Sequence, residues 1–224
     1  MVIRAKRLVT EKVEFVRDGQ TVSSINVHPK STGLVISGKY DEPLIFLGAG
    51  GLGGSVTVYN KVWTPVATMG VDENGGAVVI KNNDGKPIAS MGAIEHGGSV
   101  GVYNKDGKPV AAMRATEYGG FVDANNKDGK RVAVMCAFKN GGAVSVQNND
   151  GKLCVLMGVD EKGGLINVSD NNGNLTAYVT NDPFGGTVVV AGKKGTPVAI
   201  IGNSPWGGMI SLADEMGNLK WSAP

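Results

Sequence analysis

The chain sets 22 Lys and Arg against 20 Asp and Glu over 224 residues, a net charge of +2, without the clustered basic face that a nucleic acid requires. Its 35 glycines are more than twice the usual share of about 7%. No apolar run approaches the roughly 18 residues of a membrane span, so membrane insertion is not expected.

Residues Met1–Arg7 run into charge without an apolar segment, which is not the pattern of a secretory signal. Cytoplasmic synthesis is therefore the expectation, with lysis or a dedicated machine as the route into a virion or a released assembly. Residues 1–8 are read as a cap strand. From Val9 to Trp206 the chain then repeats every 22 residues without insertion, nine copies in all, and a partial tenth occupies 207–224. A fixed period of this length marks a stacked array. The copies are therefore read as one domain, 9–224.

The copies at 9–30 and 31–52 are worn but in register: Asp18-Gly19 stands at a turn, and Leu34, Ile36, Leu44 and Leu47 at apolar positions. From Gly53 onward each copy opens on a Gly-Gly pair, and repeat positions are counted from its first glycine. Positions 4 and 6 are apolar, as in Val78 and Ile80 or Val100 and Val102, which is strand spacing. Position 8 is usually Asn or Asp, positions 10 and 11 are usually Asp-Gly, and position 12 is often Lys, as in Asn104-Lys105-Asp106-Gly107-Lys108. Positions 14, 15 and 17 are apolar again, with Met69, Met91, Met113, Met135 and Met157 at 17.

Each copy thus reads as strand, turn, strand, turn. The Asn-x-Asp-Gly segment suits a type I turn followed by a left-handed glycine, a common bulged hairpin link. The predicted fold is all-β: tandem hairpins in a solenoid- or prism-like array with almost no helix. Pairing straight across that turn puts positions 4, 6, 14 and 16 on one face and 5, 15 and 17 on the other. Trp63 replaces the turn glycine of its copy and predicts a different loop there. Trp221 is expected to close the end of the core, and Cys154, replacing a valine, to be a small buried hydrophobe.

The repeat Gly97-Gly98-Ser99-Val100-Gly101-Val102-Tyr103-Asn104-Lys105-Asp106-Gly107-Lys108-Pro109-Val110-Ala111-Ala112-Met113 resembles tandem hairpin repeats of bacterial and phage proteins. Its plan is also similar to MORN and choline-binding repeats, although the aromatic boxes of the latter are missing and the glycine spacing of the former differs. Trimeric phage fibre and spike shafts are the nearest functional analogy.

Catalytic candidates are sparse. His28 and His96 occupy different repeat positions, and no Gly-x-Ser-x-Gly, Walker or His-Glu-x-x-His segment occurs. The Asn-Asn-Asp-Gly runs suggest calcium, but Lys86, Lys108, Lys130 and Lys152 follow directly and oppose a cation. Neither a metal nor a cofactor is expected. Glu73, Glu95, Glu117 and Glu161 share position 21, an acidic row that would suit a polysaccharide-cleaving solenoid only if two carboxylates met across a substrate. At position 22 stand His96, Tyr118, Phe184 and Trp206, the candidate ligand-binding residues, whose rings could stack on a glycan. A lone hairpin is marginal in water. The leading expectation is therefore a non-enzymatic, self-assembling β-repeat protein, a homotrimeric shaft or filament component. A carbohydrate-binding propeller or solenoid is the alternative.

Overall fold

The computed structural model describes residues 12–18, 20–27, 32–40, 42–49 and 51–224. The cap strand expected at 1–8, Gly19 and His28 lie outside them. The described residues are all β-strand and turn, with no helix, and the strands follow the repeat. They divide into two units, up to Gly107 and from Lys108, each taken separately.

The first unit holds β1 (Lys12–Arg17), β2 (Gln20–Val27), β3 (Thr32–Ser37), β4 (Pro43–Ala49) and β5 (Gly54–Tyr59). It continues with β6 (Pro65–Asp72), β7 (Gly75–Lys81), β8 (Pro87–Ile94) and β9 (Gly97–Tyr103). The second unit holds β10 (Pro109–Thr116), β11 (Gly119–Asn125), β12 (Arg131–Phe138), β13 (Gly141–Gln147), β14 (Leu153–Asp160) and β15 (Gly163–Ser169). It ends with β16 (Leu175–Asp182), β17 (Gly185–Ala191), β18 (Pro197–Ser204), β19 (Gly207–Ala213) and β20 (Leu219–Ala223). Within each unit every strand pairs antiparallel with the next, an open meander of stacked hairpins.

The long turn is built as its residues demand. In the copy starting at Gly141, Gly151 N–H donates to Asn148 O at 2.9 Å and Asn148 N–H to Lys152 O at 2.9 Å. Gly151 sits at φ 84°, a conformation cheap only for glycine. Asn148 Oδ1 accepts from the backbone N–H of Asp150 and Lys152, at 3.0 and 2.9 Å. Its Nδ2 then donates at 2.8 Å to Asn171 O, in the turn of the next copy. Asn82 does the same toward Lys105 O at 3.0 Å. One asparagine thus folds its own turn and ties it to the neighbour. That explains why asparagine outnumbers aspartate, which cannot donate.

Trp63 corrects an expectation. Its loop is the ordinary one, with Trp63 N–H to Asn60 O and Asn60 N–H to Thr64 O both at 3.0 Å. The tryptophan is carried to φ 66° instead. The backbone bonds and the Asn60 Oδ1 cap hold the turn, and the residue takes the strain.

The facing of the strands is also corrected. Lys81 stands opposite Pro87, but its neighbour Ile80 stands opposite Ala89, so Ile88 is an extra residue in the ladder. The same step occurs at Gln147/Leu153 and Ala213/Leu219, so proline at position 13 is not its cause. This second bulge slips the register by one residue, and a one-residue slip exchanges the faces. Positions 4 and 6 therefore face 17 and 15, as in Val78↔Met91 and Ile80↔Ala89, while 3 and 5 face 18 and 16, as in Ala77↔Gly92 and Val79↔Ser90.

The valine and methionine rows consequently share one face. Both units show it: Leu34↔Leu47, Val56↔Met69 and Val78↔Met91 in the first, Val122↔Met135, Val144↔Met157 and Val188↔Ile201 in the second. The other face mixes polar and apolar residues, yet it holds the better-covered side chains: Val134, Cys136, Val189 and Ala191 are buried there. Trp221, opposite Leu212, lies half exposed on the apolar face and does not close a core. Cys154 is only half-buried, and both cysteines are free thiols.

Candidate functional site

Two features stand out from the array: the short turns along one margin and the exposed apolar face. Each short turn joins position 20 of one copy to position 1 of the next, with positions 21 and 22 at its tip. Asp72 Oδ1 accepts from the N–H of Asn74 and Gly75, at 2.9 and 3.1 Å. Asp160 and Asp182 cap their turns in the same way. The following glycine lies at φ 126–146° from Gly75 to Gly207, which accounts for the first glycine of each pair. These aspartate caps were not singled out from sequence, though the Asp-x-x-Gly spacing is an Asx-turn signature that could have revealed them.

The position 22 residues are held at these tips. His96 belongs to the first unit and is exposed. In the second unit Tyr118 is half exposed, and its phenol is pushed above its ordinary pKa, first by a hydrogen bond to the Glu117 carboxylate and then by that carboxylate's charge. Phe184 is 56% exposed and Trp206 92%. The last two share a context, Asp182-Pro183-Phe184-Gly185 and Ser204-Pro205-Trp206-Gly207, with proline fixing φ just before each ring. They sit on consecutive hairpins, about 9.6 Å apart at two strand spacings. Tyr118 lies three hairpins from Phe184. Within the second unit Phe184 and Trp206 form a neighbouring pair, and Tyr118 stands apart from them.

Glu73, Glu95, Glu117 and Glu161 are all exposed at turn tips. Glu117 is engaged with Tyr118. Among the described residues no three His, Cys, Asp or Glu side chains gather into a metal-binding group.

On the mixed face of the second unit, Asp123 is 6% exposed and stands 3.5 Å from Arg131 and 3.8 Å from Arg114. Both guanidiniums lie over the Phe121 ring, at 5.0 and 4.1 Å from its centre. Two cations neutralise one buried acid here, and aromatic stacking holds them in place, so the cluster reads as a packing device of this face.

The opposite face is unlike a soluble surface. Met91, Met113, Met135 and Met157 are half exposed or more; of the valines that pair with them Val100 and Val122 are exposed, and Val78 and Val144 half-buried. From Leu34 to Ala223, every described residue at repeat positions 4, 6, 15 and 17 is apolar. Contiguous apolar surface of this kind marks an interaction site in soluble proteins. Neither protein-family models nor curated proteins match this chain.

Proposed function

We propose that this chain is a non-enzymatic structural protein that assembles with copies of itself into a homotrimeric shaft or a longer filament. The observation that carries this reading is the apolar face: each unit repeats it hairpin after hairpin and leaves it exposed. Three copies around an axis would turn these faces inward and leave the mixed faces, with their charges, in water. Synthesis in the cytoplasm followed by incorporation into a virion or released assembly fits such a component. Light scattering after size exclusion, with electron microscopy of the same sample, tests it. A discrete species near three times 23.1 kDa, or a filament, supports the proposal, and a monomer across the working concentration range refutes it.

Phe184 and Trp206 favour a second reading, glycan binding. Each ring is presented on a proline-stiffened turn, so little ordering is lost on stacking against a sugar. Affinity electrophoresis through soluble xylan, mannan or β-glucan tests it. Retardation that disappears in Trp206→Ala supports it; free migration of the unaltered protein in all three removes it.

A further inference from the structure

We infer that the occupant of the apolar face is the same face of another copy of this chain, packed through repeat positions 4, 6, 15 and 17. The inference rests on the self-assembly reading and names its interface.

Area is the first argument. The chain exposes 15037 Å2. A folded monomer of this mass exposes about 9,600 Å2. The difference, about 5,400 Å2, is spread over both faces and the margins, and even half of it is the size of an obligate interface and beyond what a transient contact buries. The surface to be covered is chemically uniform: from Leu34 onward positions 4, 6, 15 and 17 carry no charge, and Trp221 is their one side chain with a hydrogen-bonding group. A partner that satisfies it must be aliphatic over the same length and at the same pitch. A second copy meets both conditions, because its own face repeats every two strands with identical spacing. An anionic lipid surface fits less well, since Asp72, Glu73, Glu117, Asp160 and Glu161 line one margin of the sheets and would meet its headgroups.

The second glycine of each pair agrees with this. Gly120, Gly186 and Gly208 lie on the apolar face, two residues before position 4, and none has positive φ. A Cβ added at any of the three would meet no atom within 4 Å. Nothing inside the chain therefore requires glycine there, and glycine in a strand weakens it. Close approach of another copy's methionine and valine rows gives the requirement, because a larger side chain would hold the faces apart.

The test is the mass of full-length variants by light scattering. Met135→Lys with Met157→Lys places charge on two side chains that are 61% and 51% exposed in the single chain. Gly120→Leu fills the open space without altering charge. Ser222→Lys adds one lysine to the exposed end of the opposite face. The expected result is that both apolar-face variants dissociate to 23.1 kDa with unchanged far-ultraviolet circular dichroism, the dissociation constant rising at least about a hundredfold, while Ser222→Lys keeps the parent mass. Should the lysine variant lose its dichroism, Gly120→Leu decides alone. An oligomer that survives both changes overturns this interface and leaves self-assembly standing. A monomeric parent overturns self-assembly itself, and co-sedimentation of that monomer with phosphatidylcholine vesicles would assign the face to lipid instead.

Discussion

Gly151 isolates the energetics of the long turn. Its φ is 84°, its N–H is bonded to Asn148 O, and a Cβ built on it would find nothing within 4 Å. Substitution therefore creates no clash and breaks no bond, and its whole cost is conformational. An L-residue in the left-handed region costs about 1–2 kcal/mol. Asparagine visits that region several-fold more readily than other side chains, and β-branched residues are true outliers there. Stability should accordingly fall in the order Gly, Asn, Ala, Val, with Gly151→Ala near 1 kcal/mol and Gly151→Val near 2 kcal/mol. Urea unfolding followed by circular dichroism measures this. One fixed protein concentration is needed, since assembly would shift the midpoint by mass action. Equal midpoints for all four proteins would show that the turn does not impose positive φ. A cost at alanine as large as at valine would point to steric conflict and refute the argument from open space.

Other consequences follow from the contacts between copies. Asn148→Asp keeps the acceptor that caps its own turn and loses the donor to Asn171 O, so it should cost about 0.5–1.5 kcal/mol in the same urea assay, and Asn148→Ala more. Lys86→Ala, which removes an exposed ion pair to Asp106 at 3.9 Å, should cost under about 0.5 kcal/mol. The turn aspartates predict acid sensitivity. The Asp170 carboxyl is held below its ordinary range chiefly by the Asn174 side-chain amide, that of Asp182 by the Thr187 hydroxyl, and that of Asp214, at about 2, by Lys220. A carboxyl depressed in the folded state adds stability above its unfolded pKa of about 4 and loses it as pH falls through the folded value. Melting temperature should thus drop between pH about 4 and about 2, and Asp214→Asn should make the drop shallower.

Much of the fold was legible in the residues because it is local. Alternation at positions 4 and 6 identifies a strand, and Asp-Gly at 10 and 11 identifies a turn, through the backbone preferences of a few neighbouring residues. The 22-residue period then places the later strands from one copy, and every hairpin from Gly53 onward lies where the repeat puts it. The turn aromatics could also be located, at the tips, but not their relations. Phe184 and Trp206 become a pair through the stacking of hairpins.

The facing of the strands was not legible. The bulge at Ile88 and its equivalents adds one residue that no local pattern announces, and it moves alanine and methionine to the side of the valines. Trp63 shows the same limit from another side: its own preference argues for a different loop, yet bonds from Asn60 and Thr64 hold the standard one. The role of asparagine as a tie between copies likewise depends on a carbonyl 23 residues away. Period, strand positions and glycine turns are properties of short stretches of chain and can be read from them. Register, exposure and pairing arise when separate strands meet, where one extra residue reverses what is covered and what is left for a partner.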